Sequence, residues 1–173
     1  MTTLLPGGGS FVGQARIAKS VHILDIAAND EGRHERMAQE GQTQDHGDAK
    51  SREWVRETMD RLGTSKFRAS FALSPGDRAY ARAKGKATID RHARDLLRRR
   101  VGAAYPAKDG KQTPYRGHPV FTAQHATATC CRGCIERWHH IPKGRPLTDG
   151  EVNHLSALVM AWIERDLVAH PNV

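Results

Sequence analysis

The chain predicts a mainly α fold: a small helical domain organised around a Cys/His metal site, with a flexible N-terminal appendage. Three observations carry this expectation. After position 51, apolar residues recur at helical spacing between capping residues and glycines. All three cysteines, Cys130, Cys131 and Cys134, fall in one five-residue window flanked by His118, His125, His139 and His140. Only 38% of the 173 residues are apolar, and only 10 are Phe, Trp or Tyr (4, 3 and 3). Such a core is modest, and a metal would support it.

Residues 1–50 read as an appendage and polar linker, and residues 51–173 as a basic Cys/His helical domain. GGGS at residues 7–10 is a flexible sequence. Residues 11–28 are the only apolar stretch of the first fifty, compatible with a short strand or helix. Residues 29–50 are polar and bury too little to offset their ordering entropy. Translation beginning at Met37 would remove most of the appendage. The appendage is a candidate contact for a protein partner. No run of 18 apolar residues predicts a membrane span, and the N-terminus lacks the charged and apolar regions of a secretory signal. Clustered cysteines cannot staple distant segments, so a reducing, cytoplasmic setting is expected.

From Ser51 the elements follow in order. Ser51 is placed as the cap of a helix carrying Trp54, Val55, Met59 and Leu62, stopped by Gly63. The connector TSKFRASFALS reads as extended, because Phe67, Ala69 and Phe71 share a period of two. Ser74-Pro75 is an N-cap followed by an N1 proline, opening a helix that ends at Gly85. Thr88 is placed as the cap of the next helix, with Ile89, Ala93, Leu96, Leu97 and Val101 on its inner face and Gly102 as its end. Residues 103–118 form a loop. Thr148 and Glu151 make a capping box for a last helix with the stripe Val152, Leu155, Val159, Trp162, Ile163 and Leu167.

The local text HPVFTAQHATATCCRGCIERWHH carries the chemistry. Thiolate and imidazole are the donors that hold zinc, and thiolates also hold iron–sulfur clusters. Cys130, Cys131, Cys134, His125 and His139 are the candidate ligands. Zinc is the economical assignment, because three thiols fall short of the usual four-thiolate cluster; an iron–sulfur centre is the alternative. Thr129 is placed as the cap of a helix starting at Cys130, which would set the thiols at a helix N-terminus and favour thiolate. An open site would be catalytic, with Glu136 as a proton shuttle and His118 as a second candidate. A thiol nucleophile activated by His125 is a further option.

Charge points to a partner. The net charge is +8, with 5 Lys/Arg against 7 Asp/Glu in residues 1–50 and 22 against 12 in residues 51–173. A basic domain is suited to a polyanion, nucleic acid above all. Arg91, Arg94 and Arg98 form one stripe at helical spacing. Lys111 and Arg116 extend it before the Cys/His block, and Lys143 and Arg145 after it. The leading function is a zinc-stabilised domain that binds nucleic acid, a DNA-processing accessory in its finer form. A metal- or cysteine-dependent enzyme acting on nucleic acid or a phosphate-bearing substrate is the second, and a redox or iron–sulfur protein the third.

GKQTPYRGHPVFTAQHATATCCRGCIERWHHIPKG, residues 110–144, together with SKFRASFALS and the ARAKG ending at Gly85, resembles a bacterial and phage family, domain of unknown function 4186. The resemblance covers residues 65–168 and brings no activity with it. It implies a small residue such as Gly where this chain has His140, which favours His139 over His140 as a ligand.

Overall fold

The computed structural model describes residues 48–171. They belong to one compact unit, Asp45–Val173. Residues 1–47 of the expected appendage, with its apolar stretch and Met37, lie outside the described residues.

Seven helices and no strand make up the described residues. They are α1 (48–63), α2 (Lys66–Ala69), α3 (Pro75–Lys84), α4 (Lys86–Val101), α5 (Pro119–Ala126), α6 (Arg132–His139) and α7 (Asp149–Ala169). The mainly α fold is as the periodicity predicted. α7 is the central strut, packed along both α4 and α5. Its capping box is complete: the Thr148 hydroxyl accepts from Glu151 N, and the Glu151 carboxylate accepts from Thr148 N. Five of the six stripe residues, Val152, Leu155, Val159, Trp162 and Ile163, are buried, and Leu167 packs at the edge. Ile89, Ala93, Leu97 and Val101 of α4 are all buried against them.

One ion pair sits inside. Arg78 of α3 reaches Asp166 of α7, with Nε 2.6 Å and Nη2 3.3 Å from its carboxylate oxygens, and Leu73 N donates to the same group at 3.1 Å. Both side chains are less than a tenth exposed. The hydrogen bonds satisfy charges that would otherwise be costly to bury.

Four local expectations change. α1 already runs at position 48, so Ser51 lies inside the helix and does not cap it. The connector is not extended: Ser65 accepts from Arg68 N and opens the short α2, which buries Arg68 and leaves Phe67 52% exposed. The period of two was coincidental, because the buried residue is the charged one between the phenylalanines. Thr88 does not cap α4. Gly85 takes φ 76°, closes α3 and opens α4 in a single residue, which a side chain would resist. α6 begins at Arg132 with Cys131 as its N-cap, so Thr129 stays in the preceding turn.

Two non-glycine residues near the thiols adopt left-handed backbone. Ala128 (φ 56°) reverses the chain between α5 and α6, and His140 (φ 57°, ψ 26°) ends α6. His140 is exposed. This geometry gives the physical reason for expecting a small residue there: glycine meets no Cβ penalty in a left-handed helix cap. His140→Gly is therefore expected to raise unfolding free energy by about 1 kcal/mol, read as a higher urea midpoint. An unchanged or lower midpoint would refute the strain assignment.

Candidate metal centre

The site is built on one uninterrupted buried run. Residues 122–130 are all buried. His118-Pro119 opens α5: the His118 Nδ1 accepts from Val120 N at 3.1 Å, and proline occupies the first turn. At the other end the backbone turns tightly. Thr127 N bonds Ala123 O at 2.8 Å and Thr129 N bonds Gln124 O at 2.8 Å. The Gln124 amide returns to Thr129 O at 3.2 Å, and the Thr127 hydroxyl reaches Ala123 O at 2.7 Å. This turn delivers Cys130 and Cys131 to the start of α6.

The three Sγ atoms lie within 4.8 Å of one another, a group that could hold a metal ion. Cys130 and Cys134 Sγ are 3.7 Å apart. Cys131 caps α6, its sulfur accepting from Cys134 N at 3.4 Å. Arg68, buried on α2, places Nη2 3.1 Å from Cys134 Sγ and donates through Nη1 to His125 O. Hydrogen bonds from the Cys130 and Cys131 thiols, and then the Arg68 guanidinium, hold the Cys134 thiol far below the usual range. The same sulfur contacts, with burial, push Cys130 up. The cluster thus favours negative charge on Cys134 and supplies a cation to face it. Thr113 completes the frame, its hydroxyl donating to Cys130 O at 2.8 Å.

The structure does not bring His125 or His139 into this group. Each donates Nε2–H to a backbone carbonyl: His125 to Thr113 O at 3.1 Å and His139 to Thr127 O at 2.8 Å. His139 follows Cys134 by five helical residues, about 7.5 Å along the axis. His125 is a stacking residue, its ring 4.0 Å from that of Tyr115 and 5.6 Å from that of Phe71. His118 caps the start of α5 and pairs with His92 Nδ1 at 3.1 Å. Eight helical residues, about 12 Å, separate that end of α5 from the end leading to the thiols. Glu136 is exposed and engaged elsewhere: Oε1 accepts from Lys143 N at 3.1 Å, and Oε2 lies 3.7 Å from Lys143 Nζ.

Several nominated cations are neutralised within the fold. Arg94 pairs with Asp90 at 2.5 Å and Arg98 with Asp149 at 2.8 Å. Arg145 grips Glu151 through both Nη atoms, at 2.8 and 2.5 Å, and this contact lowers the Glu151 carboxyl to about 2. Arg91, Lys111 and Arg116 are exposed. Sequence reasoning passed over two arginines that matter. Arg68 looked like one more charge in a basic connector. Arg132 is fully buried, and its Nη2 holds Pro142 O at 2.6 Å and Arg145 O at 3.1 Å, so it fastens the turn after α6. Neither partnership leaves a spacing signal.

Residues 56–164, more than half of the chain, match the family described as Domain of unknown function (DUF4186). The chain belongs to this family. No solved structure matches it.

His139 gives a test of its own role. Burial lowers its pKa from 6.5 to about 4, opposed by the hydrogen bond to Thr127, with Arg61, His154 and His140 adding to the depression. Between those values the unfolded chain binds a proton that the native ring refuses, so stability rises with pH across that window. Its contribution is complete above about 6.5 and is lost towards 4, at most about 3 kcal/mol. Urea unfolding at about pH 7.5 and about pH 5 is expected to show a larger acid loss for the parent chain than for His139→Gln. Equal losses would contradict a buried neutral ring.

Proposed function

We propose that this family member is a zinc-stabilised basic domain that binds nucleic acid. The observation that carries the reading is the convergence of three thiols on one point in a strongly cationic domain. Two thiolates on one tetrahedral ion, with bonds near 2.3 Å, sit about 3.8 Å apart. The Cys130–Cys134 separation of 3.7 Å agrees with that chord. An iron–sulfur cluster distributes its cysteines over several irons, so a trio this compact suits a single ion better. Three thiolates on a dication leave one net negative charge, and Arg68 supplies the hydrogen-bonded countercharge. All three cysteines are free, which suits a reducing cytoplasmic setting.

Among the described residues the trio is the only such group of His, Cys, Asp or Glu donors, so one tetrahedral position is left for another donor. That openness favours the enzyme reading as the second choice, with zinc activating a bound water there. Its support is thinner, because Glu136 is tied to Lys143 and His118 stands at the far end of α5. A DNA-processing accessory is the finer form of the leading reading. Its support is the surplus of 22 Lys/Arg over 12 Asp/Glu in residues 51–173, with exposed Arg91, Lys111 and Arg116.

Elemental analysis of protein purified without added metal is expected to give one zinc per chain, lost in Cys134→Ser. Nucleic-acid affinity should fall about 100-fold between 50 and 200 mM salt if about four phosphates are contacted. Metal-free folded protein would remove the zinc half of the proposal. Binding insensitive to salt, or none at low salt, would remove the other.

A further inference from the structure

A cleft of about 690 Å³ lies between the start of α3 and the loop leading into α5. Phe71, Ser74, Asp77, Tyr115, Arg116 and Thr122 are among its lining. Its volume falls in the range of small-ligand sites. Aromatic rings are few in this chain, yet Tyr115 stands open in this lining, and a second exposed ring, Phe67, packs on Phe71. Tyr115 is 60% exposed, and Phe67, packed edge-on against Phe71 at 5.2 Å, is 52% exposed.

The rings are ordered as a step. Phe71, His125 and Tyr115 are nearly parallel, with mutual tilts of 7°, 9° and 16°. Their centroids, 4.0, 5.6 and 6.3 Å apart, form nearly a right triangle at His125. Tyr115 therefore lies over His125, while Phe71 lies beside it. His125 is 5% exposed and pinned by Thr113 O, so the ring beneath Tyr115 is fixed. The Thr122 hydroxyl holds Tyr115 O at 3.4 Å. Gly117, at φ 100°, lets the loop turn into α5 immediately after these residues. The platform is thus formed in advance, which lowers the ordering cost of binding.

We propose that this cleft takes an unpaired nucleobase of a single-stranded nucleic acid, stacked on the open face of Tyr115, with Arg116 on the adjoining phosphate. The proposal rests on the nucleic-acid reading above and names its substrate class. A flat aromatic face accepts any base, because every base has a π face, whereas bases within a duplex are already stacked. Arg94, Arg98, Lys143 and Arg145 are paired with carboxylates. Arg116 has no such ion pair among the described residues, which suits it to a phosphate.

The test is fluorescence anisotropy on the full chain, with four probes. They are a labelled 12-mer single strand, the same strand made abasic, the corresponding duplex, and a nucleoside monophosphate as competitor. The base-bearing strand is expected to bind at least about tenfold tighter than the abasic one. Tyr115→Ala should remove about tenfold of that affinity while leaving binding of the abasic strand and the duplex unchanged, read at a temperature where the variant is folded. Tyr115→Phe should retain it. Equal, salt-sensitive binding of base-bearing and abasic strands would overturn the stacking cleft and leave the basic-domain reading standing. No binding of any polymer would overturn both. A monophosphate that competes as strongly as the strand binds would reassign the cleft to a free nucleotide and overturn the strand proposal.

Discussion

The decisive constraint in this domain is the complete burial of residues 122–130. A backbone without water must find every hydrogen bond inside the protein, and each orphan costs about 1–3 kcal/mol. The surrounding elements are arranged to meet that demand. Arg68 of α2 serves His125 O, His139 of α6 serves Thr127 O, and Thr113 of the long loop serves Cys130 O. Gln124 and Thr127 satisfy the turn from within. Three segments far apart in sequence are thereby fastened to one run, and that run ends at the thiols.

The same fastening sets the chemistry. Arg68 uses one arm on a carbonyl and the other on Cys134 Sγ, so the group that locks the buried turn also supplies positive charge to the sulfur cluster. His125 shows the reverse arrangement. Its backbone holds Arg68, while its ring faces away to carry Tyr115 and Phe71. The metal centre and the aromatic cleft share a support, so a change that loosens α5 would be felt at both.

Electrostatics follow a parallel logic. The count of arginines overstates the cations free to meet a partner, since Arg78, Arg94, Arg98 and Arg145 are bound to carboxylates and Arg68 and Arg132 are buried on carbonyls or sulfur. Many of the arginines are structural members. Arg132 is the clearest case, because it sits between two cysteines in sequence yet serves the turn from Pro142 to Arg145. A guanidinium suits this work, since its planar fork can meet two carbonyls at once.

Local pattern was sufficient wherever local physics decides. The α7 capping box, the Ser74-Pro75 helix start, the buried face of α4 and the thiol window could all be read from spacing, because caps and helical stripes involve residues three or four apart. Helix α5 was missed although His118-Pro119 signals it, because its buried face includes Gln124, His125 and Thr122 and so shows no apolar period. Tertiary structure alone decided which donors gather. His125 and His139 lie close to the cysteines in sequence, but the left-handed turn at Ala128 and the start of α6 at Arg132 aim their rings at carbonyls. Arg68, more than sixty residues upstream, arrives instead. Ligand identity can be proposed from composition, but convergence depends on where a buried backbone must be satisfied, and that is settled only when the distant segments pack.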